Sequence, residues 1–173
     1  MPDLLAHALV AYTAAVVLSW RYEWISPGYA TVAMVGAMIP DLAKAELFLP
    51  SGQVEAWLGI PFDWFALHTA GGTLVVVLII VVLVASHERT RIFLLLTLGA
   101  ATHHLTDALL LNPSGRSYEV FWPLTRYHPP TPGLYLSTEP TPTIAAAACA
   151  FLVWAVSRHR QATEPSSETQ NGD

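Results

Sequence analysis

The stretch that decides the fold is Gly99-Ala-Ala-Thr-His-His-Leu-Thr-Asp107. It continues an apolar run at residues 92–98, so two imidazoles and a carboxylate lie in a segment of membrane-spanning composition. Ionisable side chains are costly at membrane depth, which makes them functional candidates. Residues three or four apart share a helix face, so Asp107 has two possible partners, His103 and His104. Either pair binds a metal ion, or one His is oriented by the Asp.

The composition indicates a membrane protein. Of its 173 residues, 53% are hydrophobic and 12% are charged, whereas soluble domains carry about 25% charged residues. We predict an all-α integral membrane bundle of about five transmembrane helices. Their approximate ranges are 4–20, 29–49, 69–86, 92–110 and 143–156, and Ile39-Pro40-Asp41 interrupts the second. Pro40 removes a helical hydrogen bond, so we expect the second helix to stop there and to present the Asp41 carboxylate. Residues 1–160 form the predicted membrane-embedded domain, and residues 161–173 form a predicted disordered polar tail.

Several classes of protein are excluded by what the sequence lacks. The net charge is −5, so no nucleic-acid partner is expected. Cys149 is the single cysteine, which excludes an internal disulfide and disfavours a cysteine-based zinc site. The chain has no Gly-rich phosphate loop, no HExxH motif and no serine nucleophile motif. The sequence does not define the oligomeric state.

Ionisable residues lie where four of the predicted spans begin or end. Successive spans run in opposite directions, so the starts of the first and third spans face the same side as the ends of the second and fourth. The residues at these positions are His7, Asp41, Asp63, His68, His103 and Asp107. On the opposite side, His87 and His159 lie in ordinary charged loops. The pattern therefore predicts a site at one end of the bundle.

This set of imidazoles and carboxylates suits a divalent metal. Zinc is the best match, with manganese or iron as alternatives, and a site of this kind is more typical of catalysis than of structure. A bound metal activates water and polarises a phosphoryl or ester oxygen. Asp41 and Asp107 are the catalytic candidates, each either a ligand or a general base toward that water. Asp63 is either a ligand or the N-cap of the third span.

The order of these motifs resembles the YdjM-type inner-membrane metal-dependent hydrolases, a family distantly similar to zinc-dependent phospholipase C and P1 nuclease. The shared motifs are an early His, a Pro-Asp after the second span, a His-Thr opening the third, Gly-x-x-Thr-His-x-x-x-Asp and a Trp-Pro loop. They lie within residues 5–124. The resemblance implies metal binding by His7, Asp41, His68, His103 and Asp107, and substrate contacts by Trp122 and Pro123.

Two positions depart from the family pattern. After Pro40-Asp41, the sequence Leu42-Ala43-Lys44 replaces the second acid and the His that family members often carry. Asp63 stands five residues before His68, where many members have His-Arg. On this resemblance Asp63 is a candidate substitute ligand, with the N-cap role as its alternative, and the number of metal ions stays open.

These observations predict a membrane-bound hydrolase. Its substrate would be a membrane lipid headgroup or a small phosphodiester or ester. The alternative is a proton- or metal-coupled transporter that uses the same His and Asp residues as a relay. A relay requires ionisable groups along the depth of the bundle, whereas these collect at one end, which favours the hydrolase.

The loop charges predict the orientation in the membrane. Lys and Arg residues are more frequent in cytoplasmic loops. With five spans, one side holds Arg21, Arg89, Arg91, Arg158 and Arg160, and the other holds Lys44, Arg116 and Arg126. We therefore predict that the N-terminus lies outside and the C-terminus lies in the cytoplasm.

Overall fold

The computed structural model of the chain describes residues 4–163. Within this range the chain forms six α-helices, two 3₁₀ helices and no β-strand, which confirms the all-α prediction. The α-helices are α1 (Leu4–Ser19), α2 (Pro27–Met38), α3 (Ser51–Leu58), α4 (Ala70–Leu83), α5 (Arg89–Asp107) and α6 (Thr141–Thr163). The first 3₁₀ helix spans Pro40–Leu47 and the second spans Trp64–His68.

Among the described residues, one helix is long and apolar enough to cross a membrane, and that helix is α6 with 23 residues. Helices α1 and α4 are apolar but have 16 and 14 residues, fewer than the about 20 that a bilayer core requires. The number of five transmembrane helices therefore stays a prediction. Residues 161–163 of the predicted tail belong to α6, and residues 164–173 lie outside the described part of the chain.

Helix α2 ends at Met38, just before the interruption expected at residues 39–41 of the second predicted span. Pro40 has no amide hydrogen and its ring obstructs the preceding turn, so the chain continues as the first 3₁₀ helix. The last carbonyl groups of a helix have no amide partner within it. Those at the end of α2 are thus available to side chains from elsewhere in the bundle.

Helices α2 and α5 pack with their backbones in contact through two glycines. A Cβ atom on Gly36 of α2 would collide with the carbonyl oxygen of Leu96 on α5. A Cβ atom on Gly99 of α5 would collide with the carbonyl oxygen of Ala33 on α2. Small residues allow this close approach in membrane helix pairs. The contact holds the His- and Asp-bearing end of α5 against the end of α2.

The remaining core of the bundle is apolar and built mostly from small residues. It lies between α1, α2 and α5, and partly buried hydrophobic side chains pack around it. Its buried members are Ala11, Ala15, Val16, Ile25, Ala30, Ala33, Ala37 and Leu95. The buried His and Asp residues thus lie beyond this apolar core, at one end of the bundle.

The connector between α5 and α6, residues 108–140, folds over the end of the bundle where α4 begins. The amide of Ala70 donates to the carbonyl of Val120 at 2.7 Å, and that of Gly71 donates to the carbonyl of Trp122 at 3.1 Å. Isolated β-bridges pair Leu110 with Tyr135 and Arg116 with Pro130. The connector is thereby fixed above the ends of α4 and α5.

Candidate metal centre

Five of the six predicted ligands come together at one end of the bundle. His7 lies on α1, Asp41 in the first turn of the first 3₁₀ helix, His68 at the end of the second, and His103 and Asp107 near the end of α5. Each is buried, with at most 4% of its surface exposed. The ligand atoms of His7, His103 and Asp107 lie within 4.8 Å of one another, as do those of Asp41, His68 and His103.

Asp107 is the centre of this cluster. Its Oδ2 atom lies 2.9 Å from Nε2 of His68 and 3.4 Å from Nε2 of His103. Its Oδ1 atom lies 3.4 Å from Nε2 of His7. The rings of His7 and His103 stack with their centroids 3.8 Å apart. Three imidazoles therefore turn the same ring nitrogen toward one carboxylate.

Backbone carbonyls fix the tautomers of His68 and His103. Nδ1 of His103 donates to the carbonyl of Ala37 at 2.7 Å, and Nδ1 of His68 donates to that of Pro40 at 3.1 Å. A carbonyl oxygen only accepts hydrogen bonds, so in each neutral imidazole Nδ1 carries the hydrogen and Nε2 carries a lone pair. The end of α2 thus determines which nitrogens face Asp107.

Thr106 sets the tautomer of His7 in the same way. Its hydroxyl donates to backbone carbonyls of the preceding turn, with Oγ1 lying 2.8 Å from the carbonyl oxygen of His103 and 3.0 Å from that of Thr102. Oγ1 therefore accepts a hydrogen bond from Nδ1 of His7, 2.8 Å away. Nε2 of His7 also presents a lone pair to Asp107. Metal-binding imidazoles are commonly oriented by such a contact at the second nitrogen.

The cluster brings lone pairs together without the hydrogens that would join them. Within the described residues, the cluster atoms that are buried without a hydrogen-bond partner are His7 Nε2, His103 Nε2, Asp41 Oδ1 and Asp107 Oδ1. Each unpaired buried group costs about 1–3 kcal/mol, and lone pairs facing a carboxylate repel it. A coordinated divalent cation removes both costs, so the residues present fit a metal ion with nitrogen and oxygen ligands.

Asp41 is held from outside the cluster by Lys44. Nζ of Lys44 lies 2.8 Å from Oδ2 of Asp41, while Oδ1 of Asp41 is buried. With neutral imidazoles, the two carboxylates and this one ammonium group leave the cluster with a single negative charge. A divalent ion therefore makes the centre positive, which favours anionic ligands.

Asp63, the sixth predicted ligand, lies outside the cluster. It is exposed and occupies the N-cap of the second 3₁₀ helix, where its carboxylate accepts a hydrogen bond from the amide of Phe65 at 2.8 Å. The cap of α4 is instead Thr69, whose hydroxyl accepts from the amide of Gly72 at 3.2 Å. Asp63 and His68 thus lie at the two ends of one short helix. Asp63 is the exposed cap, and His68 is the buried last residue.

Trp122 and Pro123, the predicted substrate contacts, also lie away from the cluster. Trp122 is 37% exposed and lines a groove together with Asp63. Pro123 packs on Gly71, where a Cβ atom would collide with its ring. The structure therefore shows the Trp-Pro pair bracing the start of α4.

His104 does not contact Asp107 and its hydrogen bonds lie outside the cluster. Of the two possible partners of Asp107 in the quoted motif, the structure therefore gives His103, four residues earlier. Its Nε2 lies 3.4 Å from Oγ1 of Thr73, which donates its own hydrogen to the carbonyl of Leu67 at 2.8 Å. Nε2 of His104 therefore carries the ring hydrogen and donates it to Thr73. Nδ1 is left with a lone pair and accepts a hydrogen bond from the hydroxyl of Tyr118 at 3.0 Å. Burial raises the pKa of the Tyr118 phenol, and the negative charge of Asp107 adds to this effect. Tyr118 therefore stays protonated.

A cleft of about 420 Å³ leads from the cluster to the surface. His68 and Asp107 lie on its wall together with Tyr118, and residues of the connector form its outer part. Its volume falls within the roughly 300–1,000 Å³ range of small-molecule sites. The cluster is thus buried, and two of its residues border a cleft large enough for a small molecule.

The sequence did not predict several groups that position the site. Thr106 lies three residues after His103 on the same helix, so helical spacing was a usable signal for it. Tyr118 lies in a connector without periodicity, where no such signal exists. The carbonyls of Ala37 and Pro40 are backbone groups and leave no trace in the residue types.

Comparison with known proteins identifies the family of the chain. Residues 1–165 match the family described as YdjM inner membrane protein, which confirms the resemblance inferred from the sequence motifs. The matched region contains every residue of the cluster and of the cleft. No curated protein and no solved structure matches the chain.

Proposed function

The chain belongs to the YdjM inner membrane protein family, and on this premise we propose that it is a membrane-bound metal-dependent hydrolase of phosphodiester or ester bonds. One observation carries the proposal: three Nε2 lone pairs converge on the Asp107 carboxylate in a buried cluster beside a cleft. Buried acceptors without hydrogen-bond partners lower the stability of the fold, and a cation coordinated at that point would remove this cost.

The residues that would hold the metal are His7, Asp41, His68, His103 and Asp107. When bound, a divalent metal polarises a phosphoryl or carbonyl oxygen and lowers the pKa of water toward neutrality. Asp41 and Asp107 each have an unpartnered Oδ1 in the cluster, so either carboxylate can accept a proton from the attacking water as a general base. Tyr118 lines the cleft and its hydroxyl is engaged by His104, so its ring helps to shape the space for a substrate.

Zinc is the metal we propose. Imidazole nitrogens and carboxylate oxygens without cysteine are typical of catalytic zinc sites. Manganese and iron accept the same ligands, so metal analysis has to decide between the three. The fixed Nδ1–H contacts of the histidines support metal binding through Nε2 whichever ion is present.

The proposed substrate is a lipid headgroup or a small phosphoester or ester. Phe65 and Leu111 line the cleft and are 46% and 49% exposed. A cleft lined by apolar side chains beside polar ones suits a molecule with a charged or polar end and an apolar body. A membrane lipid combines these features.

The proposed topology has five spans, with the N-terminus outside and the C-terminus in the cytoplasm. The exposed side of α4 supports it, because Val75, Ile79 and Val82 are 56%, 57% and 66% exposed, which suits contact with lipid. Reporter fusions at Arg89 and Gly115 should report opposite compartments, with Arg89 cytoplasmic. Reports from the same compartment would exclude this topology.

The transporter alternative has less support. A relay needs ionisable groups along the bundle, whereas the core between α1, α2 and α5 consists of apolar residues such as Ala15, Ala33 and Leu95. The hydrolase requires only the buried cluster and its cleft.

The test is the metal content and hydrolytic activity of the full-length protein purified in detergent. We expect a bound divalent ion and cleavage of bis(4-nitrophenyl) phosphate or 4-nitrophenyl acetate that a chelator stops and added zinc restores. His103→Ala should lose both metal and activity. His87→Ala removes an exposed imidazole before α5 and should retain both. A protein that binds no metal, yet carries ions into liposomes in a His103-dependent manner, would replace this proposal with the transporter.

A further inference from the structure

His104, the second histidine of the quoted motif, has no part in the proposed chemistry, yet both of its ring nitrogens have hydrogen-bond partners. We propose that His104 is a positioning residue for the metal ligand His68 and that it acts through Tyr118. The ligand role of His68 rests on the proposed metal site. The positioning is a property of the protein chain itself, and it can be measured without metal or substrate.

His104 belongs to a chain of hydrogen bonds that runs in one direction through four elements. The hydroxyl of Tyr118, in the connector, donates to Nδ1 of His104 on α5, 3.0 Å away. Nε2 of His104 donates to Oγ1 of Thr73 on α4 at 3.4 Å, and Thr73 donates to the carbonyl of Leu67 at 2.8 Å. Leu67 lies in the second 3₁₀ helix, directly before His68. The chain thus ends one residue before a predicted ligand.

The other end of the chain also reaches His68. The rings of Tyr118 and His68 lie with their centroids 4.7 Å apart. Phe65 extends this contact, because its ring centroid is 5.7 Å from that of Tyr118 and 5.8 Å from that of His68. Within the described residues, the hydroxyl of Tyr118 has His104 as its hydrogen-bond partner. His104 therefore holds the ring that packs beside the ligand.

The two adjacent histidines of α5 are held in opposite tautomers. Nδ1 of His103 carries the ring hydrogen and leaves a lone pair on Nε2, which faces Asp107. In His104 the hydrogen is on Nε2, and the lone pair of Nδ1 accepts from Tyr118. A neutral imidazole offers one donor and one acceptor, and His104 uses both on protein groups. Its ring is therefore suited to joining elements and not to binding a metal ion.

His68 depends on this support more than the other two histidine ligands do. The rings of His7 and His103 stack on each other with their centroids 3.8 Å apart. Within residues 4–163, the aromatic ring nearest to that of His68 belongs to Tyr118. The hydrogen bond from Nδ1 of His68 is also the longer one, 3.1 Å against 2.7 Å for His103. Loss of His104 should therefore loosen His68 and leave the stacked pair in place.

The test is the rate at which diethyl pyrocarbonate modifies each histidine of the full-length protein in detergent after chelation, measured by peptide mass spectrometry. This reagent reacts with the accessible neutral imidazole. In His104→Leu, modification of His68 should rise about two- to tenfold, the increase in local opening expected when one or two hydrogen bonds are lost. Modification of His7 and His103 should stay unchanged. Unchanged modification of His68, or an equal rise at all three histidines, would overturn the positioning role.

His128→Leu is the matched control, because it removes another imidazole that lines the same cleft. Nδ1 of His128 donates to the carbonyl of Ser117 at 2.9 Å, outside the chain that contains His104. This variant should leave the modification of His68 unchanged. A rise at His68 as large as in His104→Leu would show that any loosening of the connector has this effect, and would overturn the specific role of His104.

Tyr118→Phe breaks the same hydrogen bond from its other side and keeps the aromatic ring. It should raise the modification of His68 about as much as His104→Leu does, and the double variant should not exceed the larger single effect, because both changes interrupt one chain. His104→Gln keeps a donor and an acceptor, so it should fall between His104→Leu and the unaltered protein. Additive effects of the two single changes would overturn the chain. Tyr118→Phe decides the question alone if His104→Leu fails to fold, since an unchanged His68 there has the same meaning.

Cobalt(II) titration connects the positioning to the proposed metal site. His104→Leu should bind cobalt at least about tenfold more weakly, the lower end for losing a contact that orients a ligand, and its visible absorption should change with the geometry of the ligands. A protein that binds neither cobalt nor zinc, but exposes His68 in His104→Leu, would preserve the positioning role and end the hydrolase proposal. Metal binding and hydrolysis that persist in His104→Leu, with His68 still protected, would preserve the hydrolase and remove the positioning role.

Discussion

The two ends of the bundle use the same residue types in opposite ways. At the end that holds the α4–α5 loop, the hydroxyl of Tyr29 donates to the carboxylate of Glu88, and Arg91 donates to Tyr29 at 3.2 Å. The side chains of Arg91 and His87 each lie 3.7 Å from the Glu88 carboxylate. These groups are at least partly exposed, and each has a partner of opposite character.

At the other end, the polar groups are buried, and within residues 4–163 four atoms of the cluster have no hydrogen-bond partner. His7, His103 and Asp107 hold lone pairs toward one another, and hydrogen bonds behind the rings fix them there. The difference indicates where the fold uses polar groups for its own stability and where it keeps them for a ligand. Four predictions test this contrast, beginning with the largest effect.

Asp107→Asn should give the buried end what the exposed end already has, a polar group paired with a hydrogen-bond partner. The amide can donate a hydrogen to an Nε2 lone pair, so a repulsive contact becomes a hydrogen bond. We expect metal affinity to fall by more than about 100-fold, the upper end for losing an outer contact, and hydrolysis to stop. Without metal, the variant should melt no lower than the unaltered protein. Metal titration and thermal melting measure these effects.

Glu88→Gln is the matched carboxylate-to-amide change at the exposed end. It should keep the metal and cost at most about 1 kcal/mol, since its ion pairs are solvent-screened. Retention of full metal affinity by Asp107→Asn would show that the cluster is not a metal centre of the proposed kind.

Metal removal should loosen one end of the bundle and not the other. A ligand present at 100 times its Kd stabilises the folded state by about 2.7 kcal/mol, so chelation should lower the free energy of unfolding by about that amount. Hydrogen exchange should rise in the first 3₁₀ helix and near Asp107, and stay unchanged around Arg91. Equal loosening at both ends, measured by mass spectrometry, would contradict the contrast.

Thr106→Val should weaken metal binding about 10- to 100-fold, because it removes the acceptor that orients His7. Thr102→Val is the control one turn earlier on α5, where the hydroxyl donates to the carbonyl of Gly99 at 2.7 Å. Both changes replace a hydroxyl with a methyl group on the same helix, so only the contact with His7 differs. Equal metal affinities in the two variants would remove Thr106 from the site.

Asp63→Ala should have a small effect that is confined to stability. The carboxylate caps a 3₁₀ helix, so its loss should cost about 0.5–2 kcal/mol with metal content unchanged. Chemical denaturation and metal analysis measure the two quantities. Loss of metal on the scale of His103→Ala would mean that Asp63 reaches the cluster after all.

The sequence predicted the cluster because its ligands are costly residues at the ends of apolar segments. That argument needs only residue type and the alternation of helix direction, and it brought His7, Asp41, His68, His103 and Asp107 to one end. It could not judge Asp63, because burial within a short polar connector depends on tertiary contacts.

The extent of the second span was predicted only roughly, and the cleft was not predicted. The sequence indicated an apolar stretch to residue 49 with an interruption at residues 39–41, and the α-helix ends at Met38, just before that interruption. Tyr118 and the other connector residues that line the cleft come from an irregular segment, whose path depends on isolated bridges and backbone hydrogen bonds. No periodic pattern predicts those contacts.

The helix break at Pro40 limits how this centre could be transplanted into another scaffold. Copying five side chains onto unbroken helices would reproduce the ligand types, but the carbonyls of Ala37 and Pro40 would lose their present positions. Nδ1 of His68 and His103 would then have no fixed acceptor, and each ring could present either nitrogen to the ion. A designer would therefore have to copy the interrupted backbone together with the side chains. Pro40 belongs to that copy, because its carbonyl accepts the hydrogen bond that orients His68.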